Sequence, residues 1–335
     1  MKIAYIIYPD VIISNKSNGI RSQAETWVEL LRHEGVEVDL VNNWGNYNWN
    51  EYDAIHLFGG GRWIFSVVKR LSAINPKICW SPIYDPANKP SIANIITSYM
   101  GVFANSLLKW NYLYQIRKIP HIKKVLTRSR FETEYYNRIF HVPNDKMELI
   151  PLSYSNYCVS YEKCKKEDFC LHISSIYQPR KNVIRLIEAA KKYNFKLVLA
   201  GNKGSDEQFK PIRDAIGSNK NIKVLGFISE EEKIDLYKRA KVFALPSITE
   251  GVGIVAVDAA YYGCEIVITD IPGPKEYYQG QCLEVNPLKV DAIGTAITSF
   301  INDEVVFQPQ LKQYIEKEYS GKRIAQELIN VYDSL

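Results

Sequence analysis

Residues 242–246 read Val-Phe-Ala-Leu-Pro, 247–253 read Ser-Ile-Thr-Glu-Gly-Val-Gly, and 254–263 read Ile-Val-Ala-Val-Asp-Ala-Ala-Tyr-Tyr-Gly. The first run is short and unbroken in its apolar character, which marks a strand buried on both faces. The last run is read as a helix over 252–262. Between them lies an acidic loop with two glycines. Strand, tight loop and helix form the unit from which parallel sheets are built. Glycine lets the backbone approach a ligand closely. A helix N-terminus presents free N–H groups and the positive end of the helix dipole, which suit phosphate. Glu250 sits just ahead of that terminus and is a candidate acceptor for ligand hydroxyls. Asp258 follows eight positions later, about two helical turns along. It is expected on the same side of the helix, placed to hold a diol. Taken alone, the stretch equally describes a plain strand–turn–helix with two surface carboxylates, since glycine-rich turns are common.

Moving outward, the same unit recurs. Residues 177–182 read Tyr-Gln-Pro-Arg-Lys-Asn, between a strand over 169–176 and a helix over 182–192. Lys181 lies at or beside that helix start, where a cation gains nothing from the dipole; the placement makes sense if it faces an anion. Further strands are predicted at 196–200, ending at Gly201-Asn202, at 222–225, ending at Gly226, and at 265–269. Ser229 followed by Glu232 marks a capping box for a helix over 230–240. Helical stretches at 289–302 and 320–334 close the chain. The first half alternates likewise, with strands at 2–8, 36–41, 52–58, 77–84, 124–127 and 148–151, and a helix over 20–33 ended by Gly35. Residues 153–168 are polar and without period and read as a linker. Two parallel α/β domains follow, with ligands expected beyond the carboxyl ends of the strands.

The bulk numbers fit. A chain of 335 residues with 46% hydrophobic and 24% charged residues is of ordinary globular composition and long enough for two domains. The net charge is +5. Residues 1–150 hold 18 Lys and Arg against 13 Asp and Glu, and the remainder holds 24 of each, so the excess lies in the first half. That excess does not indicate a nucleic-acid binder. The six cysteines form no C-x-x-C pair, and the gaps among Cys158, Cys164 and Cys170 are too long for the usual zinc sites. No metal site is therefore expected, and free thiols in a reducing cytoplasm fit. The start Met-Lys-Ile-Ala-Tyr-Ile-Ile-Tyr is too short an apolar run for a signal peptide. No run approaches the ~20 residues of a membrane-spanning helix. A cytoplasmic location is expected.

On these motifs the chain resembles the retaining glycosyltransferases of family 4, most strongly over 169–290. Pro246, Ser247, Glu250, Gly251 and Gly253 match the family's Pro-Ser-x-x-Glu-Gly-x-Gly pattern, and Asp258 stands where the family has a second Glu. The resemblance implies the GT-B fold, two facing Rossmann-like domains with a cleft between them. The first domain is expected over 1–155, joined by a terminal helix at about 318–335, and the second over 165–315. It implies that the donor is a nucleotide-sugar and that no cofactor is needed. Glu250 would contact the donor sugar, Asp258 the nucleotide ribose, and Lys181 the phosphate. Gly201-Asn202 and Gly226-Phe227 match loops lining the base pocket. The amides around Gly251, Val252, Gly253 and Ile254, with Gly19 from the first domain, would meet the diphosphate. Residues 271–276 match a Gly-x-x-Glu loop near the donor.

Two departures stand out. The family has an arginine six residues before Lys181; here that residue is Ser175, with Arg180 nearby as a candidate substitute. Many relatives carry a histidine after the fourth strand, and residues 80–86 contain none; Tyr84 and Asp85 are the candidate acceptor-side residues. His56 and His121 are read as structural or surface residues. The family's retaining chemistry implies no protein nucleophile. The expected activity is sugar transfer (hexosyltransferase type) to a glycan or lipid-linked acceptor in surface polysaccharide assembly. Residues 105–130 hold seven Lys and Arg, no acid, and interleaved Trp110, Tyr112 and Tyr114. That pattern suits a peripheral contact with an anionic inner-membrane face, and suits equally a solvated helix face. The alternative function is a catalytically silent nucleotide-sugar-binding protein of the same fold. A dehydrogenase is excluded because no G-x-G-x-x-G follows the first strand.

Overall fold

The apolar runs fold into parallel strands, as a computed structural model shows for residues 1–7, 19–42, 44–60, 62–83, 118–155 and 165–335. These residues divide into two units, Met1–Ser153 with Gly321–Leu335, and Tyr154–Ser320.

In the first unit, β1 (Lys2–Ile7), β2 (Glu37–Leu40), β3 (Ala54–Phe58), β4 (Ile78–Ser81), β5 (Lys124–Thr127) and β6 (Met147–Leu149) form one sheet in the order β2-β1-β3-β4-β5-β6. Every pairing is parallel. Side chains alternate between the faces, as strand geometry requires. Ala4, Ile6, Ile55, Leu57, Trp80 and Val125 pack with Ile64 and Val68 of α2 (Arg62–Leu71) and with Tyr136 and Ile139 of α3 (Arg130–Phe140). On the other face His56 and Phe58 meet both Tyr5 of β1 and Trp27 of α1 (Gly19–His33). The chain's last helix, Gly321–Asp333, packs beside α1 and lends Tyr332 to the same cluster. His56 Nδ1 lies 2.7 Å from the Tyr332 hydroxyl and Nε2 lies 2.9 Å from Ser81 Oγ. Complete burial lowers its pKa to about 3, so the ring is neutral and its role is to tie strand to helix.

The basic stretch is described only in part. Its first part, 105–117, lies outside the described residues, as do Tyr84 and Asp85. The remainder is a short 3-10 turn, β5 and the start of α3. Lys118 is buried with its ammonium 3.3 Å from the Trp80 ring centroid. Arg128 is buried against Glu132, and Lys124 pairs with Glu148 at 2.6 Å. Lys124 and Arg128 are thus paired within the domain, and burial lowers the pKa of Lys118. Lys123 and Arg130 are the exposed ones.

In the second unit β7 (Glu167–Ile173), β8 (Leu197–Ala200), β9 (Ile222–Gly226), β10 (Ala240–Leu245), β11 (Glu265–Thr269) and β12 (Leu283–Val285) form a parallel sheet in the order β12-β11-β10-β7-β8-β9. Helices α4 (Val183–Tyr193), α5 (Asp206–Ile216), α6 (Glu230–Arg239), α7 (Ile254–Tyr261), α8 (Val290–Ile301) and α9 (Gln310–Glu318) connect and cover it; Gly321–Asp333 is then α10. Leu186, Ile187 and Ala190 of α4 and Ile293, Ile297 and Phe300 of α8 pack on Leu197, Leu199, Val242, Ala244 and Val267. The chain runs β7-β8-β9 in one direction, then restarts with β10 on the other side of β7. The loops leaving β7 and β10 therefore diverge at a topological switch point, the place where open α/β sheets bind ligands.

Candidate active site

Those two loops carry Lys181 and Glu250. After β7 the chain turns at Ser174 and makes a 3-10 turn over Pro179–Lys181, and Asn182 takes a left-handed conformation (φ 59°) before α4. Asn182 Nδ2 donates to the carbonyls of Pro246 (2.9 Å) and Pro287 (2.6 Å). The Ile248 N–H donates to the Arg180 carbonyl at 2.7 Å. These bonds lash the two loops together and fix where Lys181 emerges.

After β10, Ser247 is buried and Gly253 adopts φ 73° to start α7. A Cβ on Gly253 would lie 2.8 Å from Leu245 Cδ2, so both the angle and the space call for glycine. The bend leaves Glu250 in the loop, ahead of the helix rather than in it. Glu250 thus lies ahead of the helix and Asp258 within it, as the sequence reading placed them.

Lys181 Nζ and Glu250 Oε2 stand 2.5 Å apart, with side chains 11% and 10% exposed. Ser247 Oγ donates to the same carboxylate oxygen at 3.1 Å. A cation and an anion 69 positions apart in sequence thus meet at the switch point, with a hydroxyl orienting the anion.

His172 braces this arrangement from below. Its Nδ1 lies 2.8 Å from the Ala244 carbonyl and its Nε2 2.7 Å from Ser174 Oγ. Burial lowers its pKa to about 4. The carbonyl can only accept, so the neutral ring carries its proton on Nδ1 and accepts at Nε2. Gly201 follows β8 at φ 112°, its N–H donating to the Gly226 carbonyl at 2.7 Å. A Cβ there would stand 2.0 Å from the Ser174 carbonyl oxygen. Gly226 (φ 76°) holds Lys203 close above it, and Phe227 beside it is 70% exposed.

Asp258 is buried, and burial raises its pKa; its Oδ1 accepts the Ser155 N–H at 2.6 Å. Val252 is buried, Gly251 and Ile254 are half-buried, and Arg180 is exposed with Nη1 3.5 Å from the Thr249 carbonyl. Ser175, in place of the arginine, accepts the Gln178 N–H through its backbone carbonyl. Gly19 is the first residue of α1, in the other unit. The structure therefore gathers Lys181, Glu250, Gly251 and Gly253, and joins Gly201 to Gly226.

Sequence reasoning missed His172, Asn182 and Tyr278. A polar residue inside the otherwise apolar run Phe169–Ile173 was the signal for His172, since a buried imidazole needs partners. Tyr278 is fully buried, and its hydroxyl has no hydrogen-bond partner among the described residues. No group of His, Cys, Asp and Glu among the described residues is arranged to hold a metal, and no helix there is long and apolar enough to cross a membrane. Cys170 is a buried thiol, while Cys158 and Cys164 lie outside the described residues.

Comparison with known proteins finds relatives in sequence and in fold. An uncharacterized glycosyltransferase of Methanocaldococcus jannaschii is 29% identical over 234 residues, covering 62% of this chain and 59% of its own length. O-antigen chain mannosyltransferase B of Escherichia coli is 26% identical over 235 residues, covering 64% and 61%. The match thus spans less than two thirds of these relatives. Among solved structures, sucrose-phosphate synthase from Thermosynechococcus elongatus superposes with a TM-score of 0.76 at 15% identity over 100% of this chain and 99% of that one. HepE from Anabaena in complex with UDP gives 0.74 at 15% identity over the whole of both chains. At such identity the likeness shows the fold, which is GT-B. Residues 160–320 match the family Glycosyl transferases group 1. That segment, which carries Lys181, Glu250 and Asp258, is similar to the group 1 glycosyl transferases.

Proposed function

We propose that this chain is a retaining glycosyltransferase of family 4 that moves a sugar from a nucleoside-diphosphate sugar to a saccharide or lipid-linked saccharide. The observation that carries the proposal is the Lys181–Glu250–Ser247 cluster at the switch point, held by bonds between the loops. Lys181 meets the leaving diphosphate, the amides of Gly251 to Gly253 support it, and Glu250 accepts hydroxyls of the donor sugar. Asp258 contacts the ribose, with Asp one methylene shorter than Glu. Gly201, Gly226 and Phe227 border the base.

In the reaction the acceptor hydroxyl oxygen bonds to the anomeric carbon as that carbon's bond to the β-phosphate oxygen breaks. The attack comes from the face the diphosphate leaves, and a phosphate oxygen takes the hydroxyl proton. No protein nucleophile is required. The protein contributes positioning and stabilisation of the charge developing on the diphosphate. The low exposure of Lys181 strengthens that stabilisation, because charge interactions grow as water is excluded.

Mannosyltransferases of O-antigen chains among the relatives support a role in surface polysaccharide assembly and put nucleoside-diphosphate mannose first among candidate donors. The test is nucleoside diphosphate release from a panel of UDP-, GDP-, ADP- and dTDP-sugars, with wild type and Glu250→Ala. Release from one donor, lost in the variant, supports transfer. Nucleotide binding without release from any donor, even with crude lipid-linked acceptor, favours the silent binding protein, a reading motivated by Ser175 in place of an arginine. Contact with an anionic membrane through 105–130 is a further part of the proposal, and among the described residues Lys123 and Arg130 are the exposed cations that would serve it. Absence of cosedimentation with anionic vesicles would refute that part.

A further inference from the structure

The first unit holds a cavity of about 450 Å³ lined by Ser72, Pro76, Pro120, His121, Lys123, Asp145 and Lys146. All seven lie at the amino edge of the sheet. Pro76 precedes β4, Pro120 to Lys123 precede β5, Asp145 and Lys146 precede β6, and Ser72 follows α2. This is the edge opposite the carboxyl ends, where α/β sheets place their main ligands. The cavity therefore belongs to neither switch point, and the proposed transfer chemistry makes no use of it.

Two of its polar side chains are held in place by the fold. Lys146 Nζ donates to the carbonyls of Ile119 (3.1 Å) and Ile122 (2.7 Å), which uses two of its three N–H bonds. His121 Nδ1 stands 3.0 Å from Ser72 Oγ, and that hydroxyl donates onward to the Lys69 carbonyl at 3.3 Å. Ser72 therefore accepts from Nδ1, and the ring is oriented with Nε2 as its remaining polar atom. Lys123 is exposed at the rim, its backbone N–H anchored on the Ile78 carbonyl at 2.8 Å. Lys124 fixes the floor by donating to the Asp145 carbonyl at 3.1 Å. Two lysines, a histidine and one aspartate thus line the cavity, on a frame of two prolines that add no charge.

We propose that this cavity is a second ligand site that takes a phosphate monoester, with the phosphate between Lys123, Lys146 and His121. A phosphate monoester matches two lysines set against one aspartate, and the hydroxyl of its monoanion donates to the Nε2 lone pair of His121. Pre-oriented donors bind such groups with little reordering. The volume exceeds that of a phosphate alone, so the group arrives on a larger molecule, either a free phosphate ester or a lipid headgroup.

The experiment follows the ring signals of His121 by NMR in the full chain. The chain has five histidines, and His121→Ala identifies the signal. Inorganic phosphate is titrated first, then vesicles of phosphatidylcholine with and without phosphatidic acid are tested by cosedimentation. The expected result is a saturable His121 shift with phosphate, weakened about fivefold by Lys123→Ala, the upper value for an exposed charge contact. Lys146→Gln, which keeps a donor for the two carbonyls while removing the charge, weakens it likewise. If that variant does not fold, Lys123→Ala carries the test. Saturation by phosphate without vesicle binding identifies a free phosphate ester. Binding to phosphatidic acid vesicles that falls in Lys123→Ala identifies a headgroup. No saturable shift and no charge-dependent vesicle binding overturns the proposal, as does a shift unchanged in Lys123→Ala. Repeating the titration in Lys181→Met separates this site from the donor site, which lies in the other unit.

Discussion

Replacing Glu250 with Gln should make the protein bind nucleoside diphosphate more tightly while it loses transfer activity. In the free protein Lys181 is neutralised by Glu250 at 2.5 Å, and both side chains are about nine-tenths buried. An incoming diphosphate must draw Lys181 from that carboxylate or settle beside it, and either route works against the negative charge. A hydrogen bond to a charged group contributes about 1.5–3 kcal/mol. Releasing Lys181 from this competition should therefore tighten nucleoside diphosphate binding by roughly tenfold to a hundredfold. Transfer should fall by a factor on the order of a hundred or more, the usual loss when a group that stabilises the reacting centre is removed. Glutamine keeps an oxygen facing Lys181, so the loop geometry survives. Titration calorimetry with diphosphate and with the uncharged nucleoside reads the effect. The nucleoside should bind both proteins alike, because only the charged group senses the change. Diphosphate affinity that is unchanged or weaker in Glu250→Gln would refute the reasoning.

Four further outcomes are expected. His56 and His172 are neutral in the folded chain, with pKa values lowered to about 3 and about 4 from 6.5. Below about pH 6.5 the unfolded chain therefore binds more protons, so stability is present above that value and is lost as pH falls, by about 2 kcal/mol for each ring near pH 5; urea unfolding at neutral and acid pH checks this. Gly201→Ala forces a Cβ to 2.0 Å from the Ser174 carbonyl at φ 112° and should cost about 3 kcal/mol. Gly19→Ala meets nothing within 4 Å among the described residues at the start of α1 and should be neutral or stabilise by up to about 1 kcal/mol in thermal melts. Asp258→Asn keeps an oxygen for the Ser155 N–H and removes a charge whose burial is unfavourable. It should raise the melting temperature by about 2–4 °C while weakening nucleotide binding.

The sheets were legible because the runs ending at Ile7, Phe58, Ala200, Leu245 and Thr269 are continuous and apolar, as parallel strands buried on both faces must be. The capping box at Ser229 announced α6, and the structure forms both of its hydrogen bonds. The equivalent box of Ser205 and Gln208 opens α5, yet Pro211 inside that helix interrupts the period and hides it. The strand β12 has only three residues and exists through its register with β11, a tertiary cause that leaves no local pattern. The strand over 169–176 ends early at Ile173, because Ser174 must turn beneath Gly201. In the site, sequence placed Lys181 and Glu250 on loops after two strands but had no means of giving their contact, which depends on β7 and β10 being neighbours. His172 was hidden for a related reason: its partners Ala244 and Ser174 come together only when the sheet forms.

The most direct test of the central claim is the anomeric configuration of the product by proton NMR, using the donor identified by nucleotide release and comparing wild type with Lys181→Met and Glu250→Gln. The account predicts a product with the configuration of the donor and transfer that collapses in both variants. An inverted product, or transfer at wild-type rates in either variant, would contradict it.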